Sequence, residues 1–139
     1  MTAVPGGFAP LFRTSPFLDA VGPFYYRRDG GRLIIGLRIL EKHANARGVA
    51  HGGLLMTLAD IALGYNTAYQ EDPPASLVTA SLTGDFAGTA KLGDWIEAHV
   101  DVQKSGKRLA FANAYLMVGD ERILRASAVF ARSAAKPAG

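Results

Sequence analysis

The segment GLLMTLADIALGYNTAY, Gly53 to Tyr69, is apolar almost all the way round a helical wheel and carries one charged residue, Asp60. A helix of that kind has to be covered on most of its faces. A chain of 139 residues has room for one hydrophobic core, so the remainder must supply the cover.

That remainder reads as strands. FYYRR and RLIIGLRIL are joined by DGG, a hairpin signal. EKHANARGVAHGG is loop by composition, and EDPPAS closes the helix that follows. In the next segment Val78, Ala80 and Leu82 alternate with Thr79, Ser81 and Thr83. Then Ile96, Ala98, Val100 and Val102 alternate with Trp95, Glu97, His99 and Asp101, which is period-two patterning with one wet face. LAFANAYLMV is apolar on both faces and suits a central strand, and RILRASAVFAR is a last strand. The expected order is strand, strand, helix and four more strands, an α+β layout with about six antiparallel strands against one long helix. Residues 1–22 read as a proline-rich lead-in with a short helix at SPFLD, capped by Ser15 with Pro16 at its first position. Residues 23–133 form the domain and 134–139 a frayed tail.

Composition narrows the classes. A net charge of +3 with scattered basic residues argues against nucleic acid. No apolar stretch suits a membrane span or a signal peptide. With no cysteine there is no disulfide framework and no thiolate metal site. The expected compartment is the cytoplasm.

Two features carry chemistry. Gly52 and Gly53 stand where the helix begins. The first amides of a helix lack internal partners and favour negative charge, and glycine admits a ligand close to them. They suit an oxyanion pocket, or they form only a tight turn. Asp60 is either a cap or helix-edge residue, or a general base or nucleophile held in a drier pocket. Eight residues separate Gly52 from Asp60, roughly 12 Å along a helix. If both serve one reacting group, they come from two copies of the chain, and a homodimer with two composite sites is the simple solution.

Asn45, then His51-Gly52-Gly53, then Asp60 on the following helix resembles the PaaI-like, HGG-motif hotdog-fold acyl-CoA thioesterases. The segment DFAGTAKLGDWIEAHVDVQKSGKRLAFANAYL resembles the same family's strand-loop-strand region, and the likeness covers about residues 20–132. It implies a long helix wrapped by a curved antiparallel sheet, with protomers paired into a homodimer and often a homotetramer. It implies Asp60 as nucleophile or base, and the Gly52 amide with Asn45 as the groups that polarise the thioester carbonyl. His51 would support the loop or bond near the carbonyl. Thr79 would orient water beside the carboxylate, with Ser81 as the competing choice on the same face.

Lys104, Lys107 and Arg108 in the KSGKR turn either hold coenzyme A phosphates or form a solvated hairpin tip. His43 and His99 have no metal-type spacing with each other or with His51, and a His51–Asp60 pair lacks a third ligand. Structural or surface roles are expected for His43 and His99. No cofactor is expected, since coenzyme A is part of the substrate. The expected reaction is hydrolysis of an acyl- or aryl-CoA thioester. The alternatives are a non-catalytic acyl-CoA-binding protein and a hotdog enoyl-thioester hydratase or dehydratase. The acyl pocket would draw on Leu54, Leu55 and Leu58, with Phe86, Tyr65 or Tyr69 across the dimer.

Overall fold

The computed structural model describes residues 3–133; the tail at 134–139 lies outside them. In chain order the elements are β1 (Ala9–Pro10), α1 (Pro16–Val21), β2 (Phe24–Asp29), β3 (Arg32–Arg38), α2 (Gly52–Ala68), β4 (Leu77–Phe86), β5 (Trp95–Ser105), β6 (Leu109–Val118) and β7 (Glu121–Arg132). The seven strands make one sheet in the order β1-β2-β3-β5-β6-β7-β4, with every neighbouring pair antiparallel. This is the expected hotdog layout with one strand more than anticipated. The extra strand is β1, where Ala9 and Pro10 of the lead-in pair with Tyr26 and Tyr25.

Local signals explain the elements. Ser15 caps α1 by accepting from the Leu18 N–H at 3.2 Å, with Pro16 in the first turn. The β2–β3 hairpin closes at Asp29 and Arg32, and Gly30 takes the positive φ of 60° that the turn requires. In β5, Ile96, Ala98 and Val100 are buried, as the alternation predicts. β6 does lie between two strands, but only its Ala110, Ala112, Ala114 and Leu116 side is buried.

The core forms where α2 presses Leu55, Leu58, Ala59, Ala62 and Leu63 onto the sheet. Asn66 ties the helix to β3: its Nδ2 donates to the Leu33 carbonyl, and its Oδ1 accepts from the Leu33 N–H at 2.9 Å. Within one chain the helix is not covered on most of its faces. Gly52, Met56, Asp60, Gly64 and Ala68 recur every fourth residue and stay half-exposed. The sheet likewise ends on β4, a ten-residue edge strand with Val78 56% and Phe86 51% exposed.

Candidate active site

Three pieces of backbone hold the residues singled out in the sequence. The first is the loop entering α2. Buried His43 accepts from the Leu40 N–H at its Nδ1 (2.9 Å) and donates from Nε2 to the Val21 carbonyl (2.6 Å). Both ring nitrogens are thus used, in the neutral form, to fasten the loop to α1. Asn45 closes the loop on itself. Its Oδ1 accepts from the amides of Arg47 (2.8 Å) and Val49 (3.3 Å), and its own N–H donates to the Val49 carbonyl. These bonds fix the carboxamide, and its Nδ2 has no acceptor among the described residues. Asn45 can therefore act on a ligand only as a donor from Nδ2.

The second piece is the start of α2. His51 is the N-cap: its Nδ1 accepts from the Gly53 N–H at 3.1 Å, and its carbonyl accepts from the amides of Leu54 and Leu55. The Gly52 N–H donates to no acceptor among the described residues. A Cβ on Gly52 would make ordinary contact with the Phe86 ring at 3.5 Å, so the packing does not demand glycine there.

The third piece joins α2 to β4. Asp60 does not sit in the core. Its carboxylate is half-buried and faces a cavity of about 670 Å³, lined also by Arg13, Gly64, Tyr65, Thr79 and Phe130. The Thr79 hydroxyl donates to Asp60 Oδ1 at 3.1 Å. Thr79 and Ser81 do not share a face, contrary to simple alternation. The register shifts between them, so Thr79 lies opposite the inward residue Phe130 and Ser81 opposite the half-exposed Val129. This β-bulge re-aims one side chain, so that Thr79 rather than Ser81 meets Asp60.

Asp60 and the open amide of α2 do not meet within one chain. His51 and Gly53 line a different cavity of about 450 Å³, bounded by Phe17, Val21, Lys42 and Leu54. Leu55 and Leu58 face the sheet and line neither cavity, so they drop out as acyl-pocket residues. Tyr65 and Tyr69 do line the Asp60 cavity, and Leu54 lines the other.

Lys104 at the end of β5, with Lys107 and Arg108 in the turn after it, is exposed, and none of the three forms an ion pair among the described residues. Arg132 holds that turn in place. It donates to the Gly106 carbonyl and Ser105 Oγ, and grips both oxygens of Glu71 at 2.8 and 3.1 Å. Those hydrogen bonds keep the Glu71 carboxyl below the usual carboxylate value, and the same grip raises the Arg132 value. Glu71 lies in the connection whose next residues, Pro74 to Ser76, border the Asp60 cavity. Arg132 therefore ties the basic turn to the connection that borders the cavity. His99 is exposed and contacts Glu97 at 3.0 Å. No group of three metal-ligating side chains occurs among the described residues, and no described helix is long and apolar enough to cross a membrane.

Arg13 is a residue that sequence reasoning missed. Its neighbour Phe12 packs against Tyr26, Tyr65 and Tyr69 with ring centroids 5.0 to 5.5 Å apart, which lays the lead-in over the second half of α2. No motif in a proline-rich lead-in signals such docking.

Comparison with known proteins gives the chain its relatives. A family model described as the thioesterase superfamily matches residues 47–124. The Pseudomonas aeruginosa protein named "Putative esterase PA0474" is 53% identical over 94% of this chain and 98% of its own length. Human acyl-coenzyme A thioesterase 13 is 36% identical over 62% of this chain and 61% of its own. The E. coli PaaI protein from a phenylacetic acid degradation operon superposes with a TM-score of 0.77 at 20% identity, over 86% of each chain; it shares the fold.

Proposed function

The chain belongs to the thioesterase superfamily, and from that premise we propose that it hydrolyses acyl-CoA thioesters at a site shared between two copies of itself. The observation that carries the reading is the Thr79–Asp60 hydrogen bond inside a cavity, set against an open Gly52 amide that the same chain cannot bring to it. Two features support the second copy. β4 is a long unpaired edge, which natural sheets cover or blunt. Beside it, α2 keeps a half-exposed stripe interrupted by Asp60 alone. Antiparallel pairing of β4 with its two-fold mate covers both and turns Gly52 of one copy toward Asp60 of the other.

In this site the Thr79 hydroxyl spends its hydrogen on Asp60 and offers its lone pairs to a water. Asp60 takes a proton from that water as its oxygen adds to the thioester carbon. The carbonyl oxygen becomes an oxyanion that accepts from the Gly52 N–H and Asn45 Nδ2 of the partner copy, helped by the helix dipole. Collapse restores the carbonyl, breaks the C–S bond and leaves the proton of Asp60 for the departing thiolate. Lys104, Lys107 and Arg108 meet the phosphates of coenzyme A as free cations. His51 shapes the amide end as its cap. A homotetramer of two such dimers, working in the cytoplasm, completes the reading.

The test is thiol release over a panel of acyl-CoAs. The chain has no cysteine, so every thiol titrated comes from coenzyme A. Wild type is expected to release thiol, and Asp60→Asn to lose it while still binding substrate. Binding without release would make the protein an acyl-CoA carrier. A hydrated product from an enoyl-CoA would make it a hydratase.

A further inference from the structure

The cavity beside Asp60 holds one cation and one anion among its lining residues, Arg13 and Asp60. Arg13 makes no hydrogen bond or ion pair among the described residues. Tyr65 lines the same cavity, and its hydroxyl also has no partner among the described residues. Burial pushes the Tyr65 phenol up, and the nearby Arg13 charge opposes the shift. Two donors without a protein partner among the described residues, one on exposed Arg13 and one on half-buried Tyr65, therefore line the cavity that also holds the carboxylate. Tyr65 follows Asp60 by five residues, about 7.5 Å along the helix axis. Five residues also turn the helix by about 140°, so an acyl chain joining the two crosses the cavity.

We infer that Arg13, with the Tyr65 hydroxyl, selects acyl groups that end in a carboxylate, so that the preferred substrates are coenzyme A monothioesters of short dicarboxylic acids. The inference rests on the assignment of Asp60 to thioester hydrolysis. A carboxylate at the far end of the acyl chain meets the planar guanidinium fork and a phenolic O–H, the pairing that arginine makes most strongly. It lies away from Asp60, so like-charge repulsion is confined to the wrong orientation. A neutral chain of the same length gains no bond from either donor, and that difference is what discriminates. Phe12, anchored on Tyr65 and Tyr69, sets Arg13 in place through the backbone, which gives the lead-in a role in choosing substrate.

Glutaryl-CoA and pentanoyl-CoA are matched probes. Wild type should favour glutaryl-CoA in kcat/KM by about tenfold or more, the worth of one charged hydrogen bond. Arg13→Gln should lose that factor on glutaryl-CoA and stay within about twofold on pentanoyl-CoA, with Arg13→Lys between the two. An equal loss on both substrates places Arg13 on coenzyme A or in folding and overturns the inference, as does the absence of any loss. Calorimetric titration of Asp60→Asn with the two thioesters separates the layers. Tighter binding of glutaryl-CoA, abolished by adding Arg13→Gln, upholds the assignment of Arg13 even if no thioester is cleaved by wild type. In that case only the hydrolytic role of Asp60 fails. Equal binding of both probes overturns the assignment of Arg13 whatever the turnover.

Discussion

The hydroxyl of Thr79 donates to the carboxylate of Asp60 at 3.1 Å, and it does so because a bulge in β4 turns Thr79 toward the helix. A regular strand would have put Ser81 on the same face as Thr79. The irregularity thus brings the two side chains together.

Removing the charge without changing the shape tests the pair. Asp60→Asn should lower kcat by about 10²–10⁴-fold, the range of a lost general base, with KM nearly unchanged. Because Asp60 is half-exposed and has no ion-pair partner among the described residues, the melting temperature should stay within a few degrees of wild type. Thr79→Val should cost less, about tenfold, and the pH–rate profile of that variant shows whether the hydroxyl tunes the base. Steady-state kinetics beside a thermal melt checks both.

Gly64 stands mid-helix, where glycine costs about 1 kcal/mol relative to alanine. Within its own chain a Cβ there would meet only the Phe130 ring, at an ordinary 3.9 Å. Gly64→Ala should therefore raise the melting temperature by roughly 3 °C while narrowing the cavity floor next to Asp60. The expected outcome is a loss of kcat/KM that grows with acyl bulk. A melt and an acyl-length series measure the two effects separately.

Much of the architecture was legible because the patterns were long: the hairpin at Asp29–Arg32, the capped α1, the α2 limits and the β5 alternation are local. What was not legible depends on distance. The two-residue β1 forms by backbone pairing with β2, which side-chain periodicity does not encode. The bulge at Thr79 is a register event between β4 and β7. Docking of Arg13 depends on Phe12 finding Tyr65 and Tyr69. The sequence left Asp60 open between a helix-edge residue and a base in a drier pocket, because an isolated sequence does not say which helical face its own sheet leaves open. The HGG residues were legible as a helix start, yet the cap is the His51 side chain, a residue type outside the usual N-cap set.

The Glu71–Arg132 pair gives a pH expectation. The folded Glu71 carboxyl is held below its ordinary value of 4.5, first by the hydrogen bonds from Arg132. A depressed carboxyl stabilises the fold above its unfolded value and loses that contribution as pH falls through the folded one. The basic turn should therefore loosen below about pH 4.5. It would be seen as a lower protection factor for the Arg132 amide, which donates to the Arg108 carbonyl. Glu71→Gln should show low protection at neutral pH already, with no further fall on acidification.

The shared site is tested most directly by mixing two dead chains. Gly52→Pro removes the open amide at the first helical position, where proline is tolerated. His51 before it already has φ −64° and ψ 135°, the conformation that precedes proline. Gly52→Ala keeps the N–H and should remain active. Asp60→Asn and Gly52→Pro homodimers should both be inactive. Co-expressed, they should recover about a quarter of wild-type activity, since half the dimers are mixed and each then holds one intact site. Activity that stays at the level of the separate variants would contradict a site made by two copies.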